Sequence, residues 1–155
     1  MVMWALIAVA VVAVIVKRLV GEPLTARGLA VPPLALFGVG CYHLTKVEHW
    51  FGVDVGWLVI GSAVGFALGY LRGHTVRVFA RDGVLWQRYT PWTLLVWVVS
   101  LGINAGVGFL AVHAGAHAEA RPMTLSIGLG LLGELIPVGL RALRSGIPFA
   151  PEPAR

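Results

Sequence analysis

"GSAVGFALGYLRGHTVRVFARDGVLWQRYTPWTLLVWVVS", residues 61–100, runs through three patterns in succession. It opens apolar, with Gly61, Gly65, Gly69 and Gly73 each four apart. It then places β-branched, aromatic and basic residues on either side of Asp82-Gly83, and closes on a second apolar run that begins at Pro91. Small residues at helical spacing let helix backbones approach closely in lipid. Asp-Gly between such runs is a strong hairpin signal, and proline suits the first position of a helix. The stretch reads as helix, hairpin, helix. A turn at Asp82-Gly83 sets Phe79 opposite Trp86 and Arg77 opposite Arg88, so aromatic pairing is set against arginine repulsion.

Composition extends that reading to the whole chain. Of 155 residues, 58% are hydrophobic and 12% are charged, and the mean hydropathy is +0.85. A soluble domain carries about 25% charged residues, so an integral membrane protein of one domain is expected. The net charge of +5 does not point to nucleic acid, because the basic residues flank apolar segments instead of clustering with aromatics. The lone Cys41 excludes an internal disulfide or a CxxC redox pair.

Five spans are predicted, over residues 1–16, 29–44, 55–71, 91–112 and 123–140, with the hairpin over about 75–90. Together they form a single all-α membrane domain, 1–145, followed by a polar, proline-rich tail, 146–155. Pro32 and Pro33 are expected in the first turn of the second span. Charge comes after the first apolar run, at Lys17-Arg18, which is the reverse of a signal peptide. An uncleaved helix with its N-terminus outside follows. That orientation puts Lys17, Arg18, Arg27, Arg72, Arg77, Arg81, Arg88, Arg141, Arg144 and Arg155 in the cytoplasm, and only Lys46 and Arg121 outside. The bias obeys the positive-inside rule and suits a bacterial inner membrane, with the C-terminus and hairpin cytoplasmic. Arg77, Arg88 and Trp86 then suit lipid headgroups, or simply belong to a solvated hairpin. Trp4, Tyr42, Trp50 and Trp57 read as interfacial anchors on the outer side.

The glycine stripe of the third span marks close contact without naming its partner. Packing inside the bundle is one expectation, and a homodimer or other membrane partner through Gly61, Gly65 and Gly69 is the other. Ser100, Asn104 and Gly108 share a face of the fourth span; Ser126, Gly130 and Glu134 share one of the fifth. At ~1.5 Å per residue, Ser100 lies ~14 Å and Asn104 ~20 Å from the inner boundary of a ~30 Å core. Glu134 lies ~13 Å from the same boundary by the same geometry. Glu134 is therefore expected to turn toward Ser100 and Asn104 on an adjacent helix, protonated unless a cation reaches it. Arg141 is expected to snorkel to the inner surface. A carboxyl at this depth is either interhelical glue or a ligand or proton site.

His43, His49, His113 and His117 gather on the outer side. Interfacial residues are the plain reading; a metal or haem held by them, with His43 and His113 as a bis-histidine pair, is a second, and a pH-sensitive or substrate-contacting cluster is a third. No P-loop, dinucleotide fingerprint, GxSxG or HExxH is present.

"KRLVGEPLTARGLAVPPL", "LGYLRGHTVRVFARDGVLWQR" and "IPVGLRAL", in this order of spans and hairpin, look like the small CcdC-type membrane proteins, a family named for a gene neighbourhood of cytochrome c maturation. The resemblance implies a compact helical membrane fold and a helper role in haem or thiol chemistry at the outer face. The chain departs from a thiol role in having Cys41 alone. The function expected is a small bacterial inner-membrane accessory or binding protein with a polar site around Glu134. A membrane enzyme or redox protein using the outer histidines, and a small proton-coupled transporter, stay open beside it.

Overall fold

The computed structural model describes residues 2–154; Met1, Arg155 and the side chains of Val2, Met3, Trp4, Ile7, Ala8, Ala10, Val11 and Val14 lie outside the described residues. The chain is mostly helical, with five α-helices: α1 (Val2–Val20), α2 (Ala26–Leu44), α3 (Gly52–Thr75), α4 (Pro91–His113) and α5 (Met123–Arg144). Three stretches are long and apolar enough to cross a membrane: Gly52–Thr75, Pro91–His113 and Ala118–Arg144, the last including a short 3-10 turn, Ala118–Ala120, ahead of α5. Large apolar side chains such as Val59, Val98, Phe109 and Leu143 point outward along these helices. Contiguous apolar surface on this scale marks a membrane protein.

Each of α2 and α3 starts three residues before the apolar run that announced it, and the caps explain why. Thr25 Oγ1 accepts from Gly28 N at 3.0 Å, so α2 starts at Ala26. Pro32 and Pro33 therefore sit inside α2, against the expectation of a first-turn position. The cap, which sets the start of a helix, lies more than a turn upstream of the prolines. Asp54 Oδ2 accepts from Phe51 N at 3.1 Å and starts α3 at Gly52. Thr90, ahead of Pro91, and Thr93, inside the first turn, form a reciprocal cap at the start of α4. At the other end of α3, Arg141 donates to the carbonyls of Gly73 and Val76, which have no partner within the helix. Arg141 is thus a cap for α3.

Between α3 and α4 stand β2 (Arg77–Arg81) and β3 (Val84–Arg88), antiparallel, with Arg77 opposite Arg88 and Phe79 opposite Trp86. Asp82 and Gly83 have φ of 53° and 78°, the left-handed pair that a two-residue type I′ turn requires. The hairpin is joined by a third strand, β1 (Glu22–Pro23), on the free edge of β3, giving the order β1-β3-β2. The first part of the tail closes over this sheet: Leu85 N donates to Pro148 O at 3.0 Å, and Ala150 N to Leu24 O at 2.9 Å. Leu24, Val76, Leu85, Val138 and Ala142 form a small core here, with Ile147 and Phe149 packed on it.

The helices stack in the order α2, α5, α3, α4, while α1 leans on β3. The glycine stripe of α3 is used inside the molecule. A Cβ on Gly69 would enter the backbone of Gly130, and one on Gly73 would meet Glu134 and Pro137. From α5, Gly133 meets the backbone of Phe66 and Tyr70 in the same way.

Candidate functional site

Glycine-to-glycine contact brings the last turn of α3 against the middle of α5, and this positions the site. Arg72 Nε donates to Glu134 Oε2 at 2.6 Å, in an ion pair whose side chains are 10% and 8% exposed. Arg72 Nη2 also reaches Gly130 O at 3.4 Å. The second carboxylate oxygen, Oε1, accepts from the Tyr89 hydroxyl at 2.8 Å. Tyr89 comes from the link between β3 and α4, and its N–H is held by Arg18 O at 2.8 Å. The Arg18 guanidinium lies 5.3 Å from the centre of its ring. The triad therefore ties α3, α5 and the sheet link together, with α1 behind it. Burial, and the negative charge of Glu134 beside it, push the Tyr89 phenol above its ordinary pKa, against the opposing pull of Arg18 and Arg72. The phenol thus stays protonated and keeps donating.

Glu134 turns inward as expected, but its partners are not the expected ones. Ser100 Oγ donates to Val96 O at 2.6 Å and Asn104 Nδ2 to Ser100 O at 2.9 Å, both within α4. The reason is that α4 and α5, although joined by a short loop, hardly touch; each packs on α3. Between them lies a cleft of about 680 Å³. Its wall includes Gly65, Trp97, Ser100, Asn104, Ser126 and Ile127, with Arg72 and Arg121 as its charged residues. Ser100 and Asn104 thus belong to the same site as Arg72 without touching Glu134. The volume falls within the ~300–1,000 Å³ of small-molecule sites, which are likewise mainly apolar with a few polar groups.

The far end of the cleft, away from the sheet, is closed by the loop between α4 and α5. Asp54, 0% exposed, fastens it: Oδ1 accepts from His117 N at 2.7 Å, and Oδ2 stands 3.2 Å from His117 Nδ1. Phe51 stacks on the same imidazole with ring centres 5.4 Å apart.

The other histidines do not converge. His43 Nδ1 is 3.4 Å from Thr124 Oγ1, His113 packs edge-on against Phe109, and His49 is exposed in the loop before α3. His43 and His113 stand on helices at opposite sides of the α3–α5 pair, so the bis-histidine arrangement does not form. Among the described residues, no three His, Cys, Asp or Glu side chains come together as a metal site. On the sheet, Arg77 is exposed, while Trp86 is half-buried beneath Arg81, whose guanidinium carbon is 4.7 Å from the centre of its ring. Arg88 is half-buried.

Two members of the triad escaped the sequence reading. Arg72 counted only as a cytoplasmic charge, although "GYLRG" places it between two stripe glycines, where a cation facing the neighbouring helix could have been suspected. Tyr89 has no local signal. Comparison with protein-family models, curated proteins and solved structures finds no match to this chain, and the site is read from its own geometry.

Proposed function

We propose that this chain is a small polytopic accessory or binding protein of a bacterial inner membrane, which holds an apolar or amphiphilic small molecule in the cleft between α4 and α5. The observation that carries the reading is the cleft itself: about 680 Å³, mainly apolar, with Arg72 on its wall and Glu134 and Tyr89 behind Arg72. Glu134 and Tyr89 fix the Arg72 side chain in place. Both oxygens of Glu134 are engaged, so Arg72 is the member that faces a ligand.

All five helices are spans in this proposal, with the N-terminus outside and the sheet in the cytoplasm. At 19 to 24 residues, they measure about 28–36 Å, enough for a ~30 Å hydrocarbon core. The distribution of Lys and Arg sets the orientation. Kinship with the CcdC-type proteins belongs to the same proposal and rests on the quoted sequence pattern. A cysteine placed at Asp82 should be labelled only from the cytoplasmic side; labelling from outside would reverse the topology.

Native mass spectrometry of protein released from a mild detergent tests the binding reading. The wild type should carry an adduct of discrete mass, and Ala105→Phe, on the α4 wall, should lose it by filling the cleft. A wild type that flies bare, while a lipid-binding membrane protein in the same detergent keeps its adduct, would sink the proposal.

A further inference from the structure

Arg121 stands apart from the other arginines of the bundle. Its guanidinium lies between two helices that have glycine where it passes. A Cβ on Gly61 of α3 would sit 2.8 Å from its Nη2 and 3.2 Å from its Nε, and a Cβ on Gly108 of α4 would sit 3.3 Å from its Nη1. Any larger residue at Gly61 would press on it. The group thus occupies a slot at the far end of the cleft and lines it. Arg72, the other charge on the wall, is neutralised by Glu134. Arg141, one turn below Pro137, is taken up by helix carbonyls. Among the described residues, no carboxylate lies within the 4.0 Å of an ion pair from Arg121. Asp54, the buried carboxylate at this end, is engaged by Phe51 and His117.

Arg121 is half-buried, and an anion on its cleft side supplies both the charge and the acceptors its fork of donors needs. The wall beyond Arg121 is mainly apolar, broken by Asn104, Ser126 and Ser100: from Gly61, beside Arg121, to Gly69, beside Gly130, α3 runs eight residues, or about 12 Å. We infer that the cleft takes a single-chain amphiphile with a carboxylate or phosphate head on Arg121 and its chain running along α3 toward Arg72. The inference rests on the binding reading above and names the ligand class for that site. The lateral gap between α4 and α5 gives such a molecule a route from the bilayer, so the chain never has to cross water.

The test uses the full-length protein in nanodiscs of zwitterionic lipid, with empty nanodiscs as the baseline. The probes are a fluorescent polyene fatty acid, its methyl ester, a long-chain alkyl phosphate as competitor, and inorganic phosphate. Binding is read by energy transfer from tryptophan, since Trp97 lines the cleft. The acid should bind the wild type at least about tenfold more tightly than the ester, the increment of one charge-assisted pair. The alkyl phosphate should displace it and inorganic phosphate should not. Arg121→Gln should erase the preference for acid over ester while leaving the ester bound, which also shows that the variant is folded; Arg121→Lys should keep most of the preference. Equal binding of acid and ester by the wild type, or an unchanged preference in Arg121→Gln, overturns the anionic head and leaves the cleft reading standing. Displacement by inorganic phosphate as effective as that by the alkyl phosphate would reduce the site to a simple ion site. Binding of neither probe overturns the inference together with the cleft reading.

Discussion

Replacing Glu134 probes the triad directly, and the size of the effect can be worked from its contacts. Both side chains of the Arg72–Glu134 pair are at most 10% exposed, so solvent screening offers little relief. Removing one partner of such a buried pair costs about 3–5 kcal/mol, because the remaining charge is left uncompensated. Tyr89 loses its acceptor as well, worth about 1–3 kcal/mol in a buried setting, though losses around one carboxylate do not add in full. Glu134→Leu should therefore lower stability by about 4 kcal/mol, and Arg72→Met by a similar amount. Glu134→Gln is the sharper variant. An amide keeps the shape and one acceptor but no charge, so it should still cost about 3 kcal/mol against a cationic partner. Had the carboxyl been a neutral donor to Asn104 or Ser100, glutamine would have been almost harmless. The double variant Arg72→Met/Glu134→Leu removes both charges and should be down by only about 2 kcal/mol, the cost of the orphaned Tyr89 hydroxyl, so the coupling should be about 6 kcal/mol. Unfolding by SDS titration in mixed micelles, followed by far-UV circular dichroism, measures the wild type and the four variants. Glu134→Gln within about 0.5 kcal/mol of wild type, or a coupling energy that small, would refute the ion pair as the element joining α3 to α5.

Two further outcomes follow from the same structure. Gly69→Ala should destabilise by about 1–3 kcal/mol, because its Cβ would enter the Gly130 backbone, whereas Gly102→Ala, which meets open space, should stay within about 0.5 kcal/mol in the same titration; equal effects would refute the α3–α5 contact. The sign for Tyr89 follows from its raised pKa: its contribution to stability is complete below the ordinary phenol range near pH ~10 and is lost as pH rises through the folded value. In an absorbance titration of the three tyrosines, one should ionise late, and Tyr89→Phe should delete that late step; an unchanged late step would show that another tyrosine is the buried one.

The patterns legible in the sequence are those set by neighbours along the chain. Apolar runs announced the helices, and Asp82-Gly83 announced both the turn and the register that pairs Phe79 with Trp86. Helix starts were placed late where a cap, Thr25 or Asp54, lies ahead of the apolar run. Strand β1 was invisible, because Glu22-Pro23 is too short to show a period and exists only because β3 has a free edge. The third-span glycines were readable as a contact surface, and Glu134 as a residue turned inward.

What the glycines contact was decided only in three dimensions. A short loop between α4 and α5 suggested neighbours, yet backbone approach is closest where glycine meets glycine, so α5 joined α3 and a cleft was left where contact had been expected. That one choice moved Glu134 from Ser100 and Asn104 to Arg72 and Tyr89, and separated His43 from His113. It also left Arg121 in a slot between Gly61 and Gly108. The sequence by itself determined which segments are helical, where the hairpin turns and which residues must face inward, since each follows from local periodicity and turn chemistry. The tertiary structure alone decided which inward faces meet, because packing between helices depends on shape matched across residues far apart in the chain.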